Sequence, residues 1–376
     1  MDSSQQLKPF IKWAGGKRGV MDKLEQKFPK AFNNYYEPFL GGGAVMMHLE
    51  STNKPKGTIF ASDISEPLII TYKMIQNHVE ELIALLNNQN YQWNSPTDAR
   101  ERFLLHRYQF NRLKLKSYMP IATEIATAHN VKLEILFDGV INKSTSTCVK
   151  ELTKAMTSRS QWKPLETCLS MEEQVEMAAL FIFLNKVGFN GMYRENGYGL
   201  YNIPPGKTVT EPTIFDGTLL RNLSRTWREH DVRFACCNFV EALKDAKEGD
   251  FIYLDPPYDV DVVLKQKAKQ KQPTVTSEQP EQQIQPQPAT EYSRSAPMFT
   301  SYTGNTFGAK EQIALRDLFV ELDKRGCYVM TSNAATERIK GLYAGYQIEE
   351  IDVKRCINSK GNDRKQTVHE VIITNT

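Results

Sequence analysis

The sequence contains no apolar run longer than the eight residues from Met177 to Leu184, far short of the roughly 20 that cross a bilayer as a helix. Its first ten residues, MDSSQQLKPF, carry an early acid and no apolar stretch, so they do not read as a secretory leader. An intracellular protein with no membrane span is expected. Six cysteines form no CxxC pair and six histidines no HxxxH spacing, which argues against both a disulfide scaffold and a zinc site. The adjacent Cys236 and Cys237 are read as small, buried residues without chemistry. A surplus of charge is also missing: 47 basic and 44 acidic residues leave +3, so any nucleic-acid partner would have to be met by local basic charge. Apolar residues at 40% and charged residues at 24% are ordinary for a globular chain and exclude disorder throughout. At about 150 residues per domain, 376 residues accommodate two compact units and an appendage.

Short apolar or β-rich runs lie toward both ends of the chain: GTIFASD (57–63), RFACC (233–237), DFIYLD (250–255), CYVMTS (327–332) and VHEVIIT (368–374). Helical patterns such as KEQIALRDLFVELDKR (310–325) separate them, and this alternation predicts an α/β sheet covered by helices on both faces. Residues 73–215 are mostly helical in pattern and read as a second domain inserted into the first. The catalytic domain would then be discontinuous, built from 1–72 and 216–376. Residues 264–298 are rich in Gln, Pro and Lys with almost nothing to bury, which predicts a disordered loop. The sequence shows no internal repeat.

In YYEPFLGGGAV (35–45) three glycines stand where a strand would turn into a helix. Glycine there lets backbone approach a ligand, and the helix start offers free amides. Asp63 ends the next strand twenty residues after Gly43, where a carboxylate can accept hydrogen bonds from both ribose hydroxyls. These features predict a nucleoside-bearing cofactor, with nicotinamide and adenosylmethionine both open. DPPY (255–258) follows the apolar strand DFIYL. The Asp255 carboxylate and the Pro256 carbonyl can accept from one exocyclic amino group, Pro256 and Pro257 stiffen the backbone, and Tyr258 can stack on a flat base. Two acceptors on one amino nitrogen draw its lone pair out of conjugation, which N-methylation of a base requires. Arg100, Arg102, Arg107, Arg112, Lys114 and Lys116 follow at helical spacing with Phe103, Tyr108 and Phe110 between them. This run is either a solvated helix face or, if turned toward DNA, a source of phosphate contacts.

With these motifs in order, the chain resembles the Dam-type, D12 class of DNA adenine N6-methyltransferases. FIKWAGGK (10–17), EPFLGGGAV (37–45), ASDIS (61–65), FLNKVGFNGMYRENGYGLYNIPPGK (183–207), DPPY, FTSYTGNTFG (299–308), VMTSN (329–333) and KRCINSKGNDRKQTVHEVI (354–372) carry the resemblance. It leaves out two insertions, roughly 115–170 and 260–298. The resemblance implies a Rossmann-like class I methyltransferase fold and transfer of a methyl group from S-adenosyl-L-methionine to adenine N6 in duplex GATC sites, after the base is flipped out. Asp255, Pro256, Pro257 and Tyr258 would be catalytic. Trp13 would form a wall of the cofactor site and Lys17 would lie near the cofactor carboxylate. Glu37, Phe39, Gly41 and Gly43 would line its methionine side, Asp63 would hold the ribose, and Asn238 and Phe239 would meet the adenine ring.

In the hairpin 189–205, Arg194 would read a guanine through O6 and N7, and Met192 and Pro204 would meet a thymine methyl. Lys12 would read the outer guanine, and Phe189 and Asn190 would fill the stack left by the flipped base. Lys207 would meet phosphate. Phe189 stands where the family has tyrosine, and Lys207 where it has arginine. The expected protein is a DNA-associated monomer, cytoplasmic if prokaryotic, that uses no metal. Two other readings stay open: a same-fold enzyme acting on RNA adenine or protein glutamine, and a DNA-binding relative without catalysis.

Overall fold

The computed structural model describes residues 7–52, 55–88, 91, 96–207, 213–259, 307–354 and 367–376. The loop expected at 264–298 lies outside them. The chain begins with a 3-10 turn, Lys17–Val20, and the short α1 (Met21–Glu25). Two strand–helix units follow, β1 (Tyr35–Glu37) with α2 (Ala44–Thr52) and β2 (Ile59–Asp63) with α3 (Glu66–Asn77). A helical block runs through α4 (Val79–Leu86), α5 (Pro96–Leu115), α6 (Met119–Ala128), α7 (Leu133–Ile141), α8 (Thr147–Ser158), α9 (Leu165–Cys168) and α10 (Met171–Val187). After α11 (Gly217–Glu229) come β3 (Val232–Cys236), α12 (Phe239–Ala242) and β4 (Phe251–Leu254). The chain ends in α13 (Ala309–Lys324), β5 (Tyr328–Ala334), α14 (Glu337–Leu342), β6 (Gln347–Lys354) and β7 (Thr367–Thr374). Each of the five anticipated strand segments carries a strand, and β6 is an addition.

The seven strands form one sheet in the order β3-β2-β1-β4-β5-β7-β6, parallel except for β7, which runs antiparallel to β5 and β6. Buried side chains alternate between its faces. Tyr35, Phe251, Tyr253, Met330 and Ile372 face one core with α2, α3, α10 and α11. Tyr36, Ile252, Leu254, Val329, Val371 and Ile373 face a second core built on Leu315, Phe319 and Leu322 of α13. This period of two with burial on both faces is what covered parallel strands require. The order reverses between β1 and β4, which places a crevice at the carboxyl ends of those strands.

The helical block has two parts. The longest apolar run falls in α10, where every residue from Met177 to Leu184 is at most 2% exposed. The helix is therefore buried all round, as a helix apolar on every side must be. Its start is fixed by a capping box between Ser170 and Glu173. It shares the sheet's first core. Most of the segment 115–170, read above as an insertion, packs around a core of its own, with Leu115, Ile125, Leu136, Phe137, Val149 and Leu152 joined by Leu200 from the hairpin. The expected boundary at residue 72 falls within α3, which packs against both β3 and α10.

Candidate active site

The crevice is lined first by the glycine loop after β1. Gly41 and Gly43 have φ of 47° and 66°, a region open to glycine at little cost. A Cβ on Gly41 would lie 2.6 Å from Trp13 Cδ1, so this close approach excludes any side chain. Asp63, at the end of β2, accepts from Gly41 N and Ser65 N, each at 3.0 Å. Burial raises its pKa against those two backbone bonds. Glu37 accepts from Met46 N at the start of α2 and from the Tyr35 hydroxyl, both at 2.9 Å. Burial pushes its carboxyl up to about 8, with Asp255 adding to the rise and Tyr35, Met46 and Lys17 opposing it.

Phe39, Phe239 and Phe307 form a half-buried triangle beside the loop, with ring centroids 5.6, 5.9 and 6.2 Å apart. Asn238 caps α12 by accepting from Val240 N and Glu241 N. Glycine backbone without side chains, a carboxylate at a strand end and half-open aromatic rings fit a nucleoside-bearing cofactor. The sequence reading brought Phe39 and Phe239 here and missed Phe307, which was quoted within FTSYTGNTFG without a role.

DPPY continues directly from β4. Lys17 Nζ lies 2.7 Å from Asp255 Oδ2, donates to Gly15 O at 2.6 Å, and stands 5.0 Å above the Tyr258 ring. Lys17 is only 4% exposed, so it is no solvated lysine. Its partner in the structure is Asp255. Burial pushes the Asp255 carboxyl up to about 6, with Glu370 adding to the rise and Lys17 and Tyr258 opposing it. The group is therefore ionised at neutral pH. The turn is clamped from behind. Gln312 Nε2 donates to Pro257 O at 3.0 Å, Asn333 Nδ2 to Gln312 Oε1 at 3.0 Å, and Asp259 N to Asn333 Oδ1 at 3.0 Å. The Asp259 carboxylate takes Thr336 and Arg338, and the Tyr258 hydroxyl donates to Glu370 at 2.8 Å. Gln312, Asn333 and Glu370 have no role in the sequence reading, which takes 310–325 as a helix, CYVMTS and VHEVIIT as strands, and VMTSN and 354–372 as segments that carry the resemblance.

Trp13 joins this site to the hairpin. Its ring stacks on Tyr193 at 5.8 Å and on Phe181 at 6.3 Å. Asn185 of α10 locks the two segments together, accepting from Lys12 N and donating to Lys12 O and Gly191 O. Across the hairpin, Arg194 O accepts from Asn202 N, and Arg194 Nε donates to Asn202 Oδ1 at 2.8 Å. Lys12, Arg194, Pro204 and Lys207 are exposed, and Phe189 and Asn190 are half-buried, Asn190 with φ of 57°. Met192 differs. It is 7% exposed and packed in the sheet's first core, because Phe181 and Tyr201 close over that side of the hairpin, so a thymine methyl could reach little of it.

The basic run on α5 is neither a bare solvated face nor a row of free cations. Arg102, Arg112, Lys114 and Lys116 are paired with Asp98, Asp138, Glu195 and Glu173, and Arg107 donates to Ile203 O. Phe103 and Phe110 are fully buried. With Asn111 bonded to both backbone polar groups of Tyr201, α5 is a strut for the hairpin. Positive charge gathers instead around Lys186, whose pKa is lowered by burial and by Lys12 and Lys8. The burial expected for the cysteine pair also fails: Cys236 is exposed and Cys237 half-buried. Cys236 is the last residue of β3, an edge strand of the sheet, and Cys237 follows it. Among the described residues, no three His, Cys, Asp or Glu side chains are grouped so as to hold a metal ion, and no helix is long and apolar enough to cross a membrane.

The mostly parallel sheet, the glycine loop at its switch point and DPPY at the adjacent strand end are those of a Rossmann-like methyltransferase. Residues 13–275 match the D12 class of N6 adenine-specific DNA methyltransferases, and the chain belongs to that family. It is 31% identical to the type II methyltransferase M.MjaIII of Methanocaldococcus jannaschii, over 98% of this chain and 99% of the relative. It is 27% identical to the type II methyltransferase M1.LlaDCHI of Lactococcus lactis subsp. cremoris, over 98% and 95%. Against the DNA adenine methylase of Haemophilus influenzae the identity is 24%, over 97% and 92%.

Proposed function

We propose that this adenine-N6 DNA methyltransferase uses S-adenosyl-L-methionine and modifies a flipped-out adenine within duplex GATC. The observation that carries the reading is the 2.7 Å pair between the buried Lys17 and the half-buried Asp255 at the end of β4, directly before two prolines. When bound, the cofactor supplies an electrophilic methyl group on a sulfonium leaving group. Gly41 and Gly43 would admit its methionine portion beside Trp13, Glu37 and Phe39. Asp63 would take the ribose, and Asn238, Phe239 and Phe307 the adenine.

Asp255, whose pKa rise through burial Lys17 opposes, would accept a hydrogen bond from one N6–H, and the Pro256 carbonyl a hydrogen bond from the other. The nitrogen lone pair then leaves the ring's π system and points at the electrophile, and once the N–CH3 bond has formed the nitrogen would shed one proton to solvent. The Tyr258 ring faces the base, and the chain's contribution is orientation and hydrogen bonding, with no covalent intermediate on the enzyme. Extrusion of the base is needed because a stacked adenine hides N6 from in-line attack. Phe189 and Asn190 would fill its place. Arg194, held at Nε by Asn202, would present its two outer nitrogens to a guanine. Lys12, Pro204 and Lys207 are exposed and would share in DNA contact, whereas the burial of Met192 argues for a structural part. We read the protein as a monomer acting on intracellular DNA, with residues 73–215 as the DNA-reading unit and the rest as the catalytic unit.

The test is transfer of tritiated methyl groups to plasmid DNA, followed by sequencing of the modified adenines. Incorporation confined to the adenine of GATC supports the proposal. Incorporation at another adenine-bearing sequence would remove the GATC assignment alone, and absence of transfer to DNA would remove the whole reading.

A further inference from the structure

Glu370 lies in the antiparallel strand β7, with its backbone held between Ala334 of β5 and Ile351 of β6. Its side chain reaches the end of DPPY and accepts from the Tyr258 hydroxyl at 2.8 Å. The turn itself does not depend on this bond, because Gln312, Asn333, Thr336 and Arg338 fix the backbone and side chains of Pro257 and Asp259 from α13, β5 and the start of α14. Only the Tyr258 ring is left to be fixed. One edge of it is tied to β7 through the hydroxyl, and one face lies 5.0 Å from the Lys17 ammonium, which itself holds Asp255.

We propose that Glu370 is a positioning residue for methyl transfer, tethering the Tyr258 ring where the target base must stack and setting a negative charge beside Asp255. This rests on the function proposed above. A tyrosine ring anchored only at Cβ keeps its χ freedom, and about 1 Å of misplacement at the reacting centre costs on the order of 100-fold in rate. A hydrogen bond to a carboxylate removes that freedom without blocking the ring face. The second role follows from a negative charge opposing the ionisation of a neighbouring carboxyl. Lys17, Glu370, Tyr258, Glu37, Tyr253 and Tyr35 are the titratable groups around Asp255, and Glu370 acts on it in the raising direction.

The test compares Glu370→Gln, Glu370→Ala, Tyr258→Phe and the double variant Glu370→Ala/Tyr258→Phe, with melting curves to establish folding. The readouts are single-turnover methyl transfer to a GATC duplex, cofactor affinity by direct titration, and the pH profile of transfer. Glu370→Ala and Tyr258→Phe should each lower the transfer rate about 10- to 100-fold, with no further loss in the double variant and cofactor affinity within about twofold. Glu370→Gln keeps an acceptor for the hydroxyl, so its rate at pH 8 should stay within about threefold of the parent while the acid limb moves to lower pH. Additive losses in the double variant, a wild-type rate for Glu370→Ala, or an acid limb unmoved by Glu370→Gln would each overturn the proposal. Failure of the unaltered chain to methylate DNA would overturn the functional reading and this inference with it, so the two failures are distinct.

Discussion

Replacing Lys17 by methionine tests what holds Asp255 in its working state. The lysine is 4% exposed and its ammonium lies 2.7 Å from the carboxylate, so the substitution removes a buried counter-charge and leaves apolar volume in its place. Burial has already pushed the Asp255 carboxyl to about 6 with the lysine present, and Lys17 opposes the rise both by its charge and by its hydrogen bond. Loss of an adjacent opposite charge raises a carboxyl pKa by about 1 to 3 units. The residue would then be largely protonated at neutral pH, a donor at one oxygen where the mechanism needs an acceptor. Because a raised carboxyl pKa costs activity below it, the acid limb of the pH profile should move up by about 1 to 3 pH units. Methyl transfer by Lys17→Met should be reduced at pH 7 and should recover by about 2- to 50-fold toward pH 9, across the range of that shift, measured as single-turnover transfer at saturating cofactor. Protonation also spares the variant much of the cost of about 3 to 5 kcal/mol that an uncompensated buried charge would impose, so it should fold. A uniform loss at every pH, together with a large fall in cofactor affinity, would refute the reasoning. Lys17 would then act on the cofactor carboxylate, as the family resemblance implies.

Other substitutions separate further parts of the structure. Glu37 binds its proton more tightly in the folded chain, at about 8, than at the ordinary value near 4.3, so it favours folding at low pH and this contribution is lost as pH rises across that window. Glu37→Gln should flatten the decline of melting temperature between pH 5 and 8, by an amount equivalent to on the order of a few kcal/mol; parallel curves for parent and variant would refute this. Lys114 and Glu195 have side chains only 10% and 7% exposed, so Lys114→Met should destabilise the chain by roughly 3 kcal/mol. A variant with unchanged stability and a weaker salt dependence of DNA binding would instead make Lys114 a phosphate ligand. Arg194→Ala should relax discrimination at one guanine-bearing pair by roughly 1 to 3 kcal/mol, measured by rates on single-pair variants of GATC; a uniform loss on every duplex would remove it from base reading. Gly41→Ala meets both a φ of 47° and the Trp13 ring 2.6 Å from the new carbon, and a lowered melting temperature with weakened cofactor binding is expected.

The sheet was legible in the sequence because its strands are buried on both faces and therefore appear as short, nearly continuous apolar runs. DFIYLD and CYVMTS are of this kind, and each yielded a strand within two residues of its expected bounds. QIEEIDVK (347–354) escaped notice. It is the outer strand β6, with Glu349 and Glu350 exposed, and an edge strand of that composition has neither a continuous run nor a clean alternation. The boundary expected at residue 72 falls inside a helix for a different reason. Periodicity sees a helix begin but not what it packs against, and α3 serves both the sheet and α10.

The site divides along the same line. Residues whose type is dictated by backbone geometry or by chemistry at one point, Gly41, Asp63 and Asp255, could be named from local pattern. Residues that act through a partner far along the chain could not. Glu370 is 112 positions from Tyr258, and Asn185 is 173 from Lys12; nothing near either in the sequence marks the pairing. Charge is the extreme case. Six basic residues at helical spacing, five on α5 and Lys116 just after it, look alike in sequence, yet four are paired with acids from 4 to 81 positions away. A pair of this sort largely cancels its own field, whereas burial, with Lys12 and Lys8 nearby in the fold though far away in sequence, lowers the Lys186 pKa. Local positive potential in this protein is thus set by which lysines lack a carboxylate neighbour after folding. That is a property of the tertiary contacts, which neither the net charge of +3 nor the density of basic residues along α5 reports.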